Sequence, residues 1–135
     1  MIQVGIEPEK TDDIISVSMR EQANIAINIA DVILFMTDIR EGVTSTDLEI
    51  ATMLKKSKKP VILICNKSDK IGEPPPELYE FYNLGLGDPS PISAANALGI
   101  GDVLDRIYDE LPEKTDEEDE NDIIKVAIIG KPNVR

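Results

Sequence analysis

Histidine and tryptophan are absent from this 135-residue sequence, and cysteine occurs once, at Cys65. Without histidine, His-based acid–base catalysis and His-ligated zinc are excluded. A single thiol rules out an intrachain disulfide framework and suits a reducing compartment. Aromatic residues make up 4% of a chain that is 41% hydrophobic, so any core must be aliphatic. No apolar run approaches the roughly 20 residues needed to span a bilayer. Nor does the N-terminal segment combine basic residues, an apolar stretch and a small-residue cleavage site, so a cytoplasmic chain is expected. Positive charge is scarce as well: 14 Lys+Arg against 26 Asp+Glu leave a formal charge of −12. Nucleic acid and anionic membranes would repel such a chain, and direct contact with either is not expected. The length fits about one domain.

The acids that are present cluster. Between Glu110 and Asp122 there are eight acids and one base, Lys114, with almost nothing apolar to bury. That block reads as a solvated linker, with a polar loop inside one domain as the plainer alternative. Ahead of it, helical and extended patterns alternate. Ile15, Met19, Ala26 and Ala30 recur at helical spacing behind Asp12 and Asp13, acids suited to a helix N-terminus. Asp31–Thr37 is apolar at consecutive positions, as in a strand covered on both faces. Thr46 and Glu49 have capping-box spacing for a helix that carries Ile50, Met53 and Leu54. It should end among Lys55, Lys56, Lys58 and Lys59, before Pro60.

Val61–Cys65 predicts a second buried strand, Glu77–Tyr82 a short helix behind Pro74–Pro76, and Pro91–Ser93 a weaker strand. Gly101 and Asp102 would cap a last helix with Leu104, Ile107, Tyr108 and Leu111 on its buried stripe. Beyond the acidic block, Ile123–Ile129 reads as a further buried strand. Strands alternating with helices predict an open α/β fold, with a mostly parallel sheet and flanking helices.

Asn66-Lys67-Ser68-Asp69 follows a predicted buried strand directly. That is the carboxyl edge at which open α/β sheets bind ligands. A carboxylate there can accept two parallel hydrogen bonds from guanine N1–H and its exocyclic amine, which adenine cannot supply. The Asn66 amide can bond the purine edge or tie neighbouring loops, and the Lys67 stem can lie across the base. The bland reading is a polar turn that ends a strand. Some 25 residues on, Ser93-Ala94-Ala95 follows Pro91-Ile92, and Gly99-Ile100-Gly101 leads into the last helix. Small residues let backbone N–H groups come close to a base, and Ala94 could offer one to the guanine carbonyl. Each signal is modest alone. In this order, on successive strands, they are specific.

With these motifs the sequence resembles the Der (EngA) family of bacterial GTPases, which have two tandem GTP-binding domains. The resemblance runs through Gly5-Ile6-Glu7-Pro8, Asp31–Phe35, Arg40-Glu41-Gly42, Lys58–Val61, Asn66–Asp69, Phe81–Gly87, Pro91–Ala94 and Ile124–Val134. It implies a truncated P-loop GTPase domain, Rossmann-like, over residues 1–109. A linker over 110–122 and the first strand and partial phosphate loop of a second domain over 123–135 follow. It also implies that Asn66, Lys67, Asp69, Ser93, Ala94 and Ala95 recognise guanine. Gly5 would be a remnant of switch II, and Gly130, Lys131, Pro132 and Asn133 remnants of a phosphate loop. The expected ligands are GTP or GDP, with Mg²⁺ in the intact family, and the expected partner of the intact protein is the large ribosomal subunit.

The sequence departs from the family pattern at two places. Ile2 stands where the magnesium-linked Asp of switch II belongs, and Arg135 where the second glycine of the loop belongs. Phosphates are held by loop N–H groups, a helix N-terminus, a lysine and Mg²⁺. The 135 residues alone are therefore expected to bind guanine weakly at best and to hydrolyse no GTP. No residue is assigned to catalysis or to a metal. Ile123–Ile129 is expected to dock parallel to Val32–Thr37, where the first phosphate-loop strand would lie, with Val126 and Ile128 covered. A thirteen-residue linker reaches about 43 Å, enough to cross a domain of this size. The strand could come from the same chain, from a neighbour in a strand-swapped homodimer, or remain a frayed tail. A protein-interaction or purely structural role without nucleotide is the remaining alternative.

Overall fold

The computed structural model describes residues 8–67, 76–111 and 123–131. The acidic stretch 112–122 therefore lies outside the described residues, as do Gly5, Ser68, Asp69, Pro132 and Asn133. The elements run α1 (Pro8–Ile29), β1 (Val32–Asp38), α2 (Ser45–Ser57), β2 (Val61–Asn66), a 3-10 helix (Pro76–Leu84), β3 (Ser90–Pro91), α3 (Ile100–Glu110) and β4 (Val126–Ile129). The four strands form one parallel sheet in the order β3-β2-β1-β4.

Strand alternation assigns each side chain to a face. Ile33, Phe35, Leu63 and Cys65 join the larger core under α1, α2 and the 3-10 helix. Val32, Leu34, Ile62 and Ile64 join the smaller one with Ile92 and Val103 of α3. On α1, Met19, Ala23 and Ala26 are buried at one-turn spacing, and two alanines let the helix approach the sheet closely. In the 3-10 helix the buried residues are Leu78, Phe81 and Leu84, the three-residue period that this tighter helix requires.

β4 docks as expected, paired in parallel with β1 from Val32↔Val126 to Phe35↔Ile129. It is fastened at both ends. The Lys125 N–H donates to Asp31 Oδ2 at 2.8 Å, and the Asp31 N–H donates to the Lys125 carbonyl at 2.7 Å. At the far end the Gln22 amide of α1 pairs with Gly130 as another strand would: Nε2 donates to the Gly130 carbonyl at 3.1 Å, and the Gly130 N–H donates to Oε1 at 3.2 Å. The strand begins at Val126, later than the sequence pattern suggested. Val126 and Ile128 are not covered but 43% and 62% exposed. They share the α3 face, and that helix packs over β2, not over β4. Docking rests instead on the backbone ladder and on Ile129, which is fully buried.

Two further expectations shift. The capping box of α2 is made by Thr44 and Asp47, not Thr46 and Glu49. The Asp47 N–H donates to Thr44 Oγ1 at 3.1 Å, and the Thr44 N–H to Asp47 Oδ2 at 3.0 Å. Glu49 instead faces α1, accepting from Ser16 Oγ and pairing with Arg20. On α3 the buried stripe is Val103, with Ile107 and Leu111 packed beside it, while Leu104 and Tyr108 are exposed. The N-cap, Gly99, sets this rotation. Its φ is +78°, and a Cβ there would fall 2.4 Å from the Pro91 carbonyl oxygen, so only glycine fits.

Candidate functional site

In an all-parallel sheet every strand ends on the same edge. Asp38 closes β1, Asn66 closes β2, and the two are register partners. The Ile39 N–H donates to the Asn66 carbonyl at 3.0 Å, extending the ladder past both strands. Lys67 then turns into the left-handed region at φ +70°, an uncommon conformation for a residue with a side chain. The Lys67 N–H donates to Asn66 Oδ1 at 2.8 Å. The same oxygen accepts the Ala94 N–H at 3.0 Å, across 28 positions of sequence. One side chain thus joins the loop after β2 to the loop after β3.

The second loop is tightly made. Ser93 is buried and forms a two-bond bridge with Leu98, both at 3.0 Å. The Ile92 N–H donates to the Cys65 carbonyl at 2.9 Å, and Asn96 Nδ2 to Ser93 Oγ at 3.0 Å. This leaves Ala94 and Ala95 exposed on the same sheet edge as Asn66. The Ala94 N–H is engaged by Asn66, so a base arriving here would meet that bond before it met the N–H.

Sequence reasoning missed Asp38. Its Oδ2 accepts the Lys67 ammonium at 2.6 Å, and its Oδ1 accepts the Arg40 N–H at 2.9 Å. Partial burial works to raise the Asp38 pKa, but the Lys67 hydrogen bond, the Arg40 N–H and the two nearby positive charges outweigh it. The carboxyl is held below its ordinary value. An acid closing a strand that is apolar except for Thr37, Val32–Asp38, was the signal available in the sequence.

Gly130 and Lys131, named as phosphate-loop remnants, follow β4 on this same edge. Lys131 pairs through its ammonium with Glu41, and the Gly130 N–H is bound by Gln22. Among the described residues no group of three His, Cys, Asp or Glu could hold a metal ion. No hydrolytic step is derived from these residues.

Comparison with known proteins finds relatives among GTPases. The family model described as "50S ribosome-binding GTPase" matches residues 4–67. GTPase Der of Ruminiclostridium cellulolyticum is 56% identical over 129 residues, covering 96% of this chain and 29% of that protein. Der of Lachnospira eligens is 57% identical over 130 residues with the same coverage. The chain is a relative of GTPase Der. It spans about 29% of the length of the Der proteins that it matches. Among solved structures, Aquifex aeolicus Era bound to GDP and AlF4⁻ superposes with a TM-score of 0.61 at 35% identity, covering 89% of this chain and 42% of Era. A probable GTP-binding protein, engB, superposes at 0.56 with 20% identity, covering 82% and 71%, a likeness of fold. The α/β sheet with its flanking helices is thus that of the P-loop GTPases. None of the described helices is long and apolar enough to cross a membrane.

Proposed function

We propose that the chain carries the guanine-recognising half of a GTP-binding domain. Asn66, Lys67 and Asp69 act from the loop after β2, and Ser93, Ala94 and Ala95 from the loop after β3. The observation that carries this reading is the Asn66 side chain, which binds Lys67 and Ala94 at once and so sets the spacing of the two loops. In this reading Asp69 supplies the bidentate acceptor for the base, and the Lys67 stem its floor. Residues 1–109 then belong to a first GTP-binding domain, 110–122 to a linker, and 123–135 to the start of a second.

The intact protein, by its likeness to Der and to a 50S ribosome-binding GTPase, binds GTP or GDP with Mg²⁺ in the cytoplasm. It hydrolyses GTP during assembly of the large ribosomal subunit. The 135 residues assayed alone hydrolyse none, and at a charge of −12 they make no direct nucleic-acid contact. The test is a thermal melt of the chain titrated with GDP, with ADP as control, alongside Asp69→Asn. A GDP-specific rise that vanishes in the variant supports the reading. No rise at millimolar GDP refutes it. A protein-interaction role is the second reading, favoured by the exposed stripe Ile14, Val17, Ile25 and Ile29 on the outer face of α1.

A further inference from the structure

We propose that Asp38 is a positioning residue for Lys67 and, through it, for the surface on which guanine lies. The inference rests on the guanine-binding reading above and adds a residue to it. Lys67 is held at both ends: its backbone N–H by Asn66 Oδ1 at 2.8 Å, and its ammonium by Asp38 Oδ2 at 2.6 Å. The carboxylate is itself held, because Asp38 Oδ1 accepts the Arg40 N–H at 2.9 Å. As the register partner of Asn66, Asp38 belongs to the sheet and not to a loop, so its position is fixed by the β1–β2 ladder. The side chain of Asp38 is 15% exposed, that of Lys67 52%. The partly buried carboxylate is thus the anchor and the lysine the arm drawn across the edge. A free lysine stem samples many rotamers, and fixing them before a base arrives removes part of the ordering cost of binding. Lys67 itself sits in the left-handed region at φ +70°, and its half-exposed side chain reaches Asp38 from there.

The test compares the full chain with Asp38→Asn and Asp38→Glu, each checked for an unchanged melting temperature. Two quantities are read: GDP affinity, and the NMR relaxation of the Lys67 side-chain Cε–Hε group without nucleotide. Asparagine keeps an acceptor for Arg40 but loses the charge that holds the ammonium. It is expected to mobilise the Lys67 stem and weaken GDP binding about fivefold, with glutamate restoring much of both. A Lys67 stem that is equally ordered in Asp38→Asn overturns the inference without reference to nucleotide. A mobilised stem with unchanged GDP affinity overturns it too. Failure of the unsubstituted chain to bind GDP refutes the guanine reading itself, and this inference falls with it.

Discussion

Ile128 and Ile129 are adjacent, chemically identical, and opposite in environment. Ile129 is fully buried in the larger core, whereas Ile128 is 62% exposed on the face that α3 leaves open. Truncating Ile129 to alanine removes three buried carbons worth about 0.8 kcal/mol each in transfer, and leaves a cavity between α1 and the sheet. A loss of about 3 kcal/mol follows. Ile128→Ala removes the same atoms from a mostly solvated position and should cost about 0.5 kcal/mol. For a chain of this size the larger loss lowers the melting temperature by about 10 °C, the smaller by about 2 °C. Circular dichroism melts, with urea titrations to check that the unfolding slope is unchanged, measure both. A slip of one residue in the β1–β4 register would exchange the two side chains between faces. Equal losses, or a larger one at Ile128, would refute the Val32↔Val126 register. Two negligible losses would refute docking altogether.

Docking within one chain makes the melting temperature independent of protein concentration over about a hundredfold range, and a rise with concentration would point to a swapped dimer. Thr44→Ala should cost about 1 kcal/mol of stability and Thr46→Ala far less, and the reverse order would return the capping box to Thr46. Burial, outweighing the Thr37 hydrogen bond, lifts the Cys65 thiol to about 11. It should ignore a disulfide reagent at neutral pH until urea unfolds the chain, and prompt native reactivity would count against the packing. Burial also raises the Asp47 carboxyl above its ordinary 3.8, against the Thr44 N–H and the Lys131 charge, and among the described residues its Oδ1 has no hydrogen-bond partner. The contribution of Asp47 is therefore full below that ordinary value and is lost as pH rises through the raised one. The stability of Asp47→Asn relative to the unsubstituted chain should improve as pH rises above the ordinary carboxylate value, and a trend of opposite sign would refute the shift.

Much of the fold was readable because each strand is a short, nearly continuous apolar run. Val32–Met36 and Val61–Cys65 have few other ways to bury themselves. That Asn66 and Ala94 fall together at the strand ends was readable because each directly follows a predicted strand of a parallel sheet. Offsets came where a short-range pattern admits two phases. Thr44/Asp47 and Thr46/Glu49 both satisfy the capping-box spacing, and the choice fell to Asp47 because that side is covered while Glu49 reaches α1. On α3 the apolar stripe is wide enough to face the sheet in more than one rotation, and the tight contact of Gly99 with Pro91 selects Val103.

The parallel α/β class, the order of its elements and the two segments that meet at the strand ends are already written in the sequence. Those follow from apolar periodicity and from residue types at fixed spacing, both local properties. Long-range folding alone settles that β4 closes on β1 with one face open to solvent, that Gln22 occupies the backbone of Gly130, and that Asp38 holds Lys67. These contacts join residues 29 to 108 positions apart. No periodicity spans such distances, and it is the pairing of strands that brings them within reach of one another.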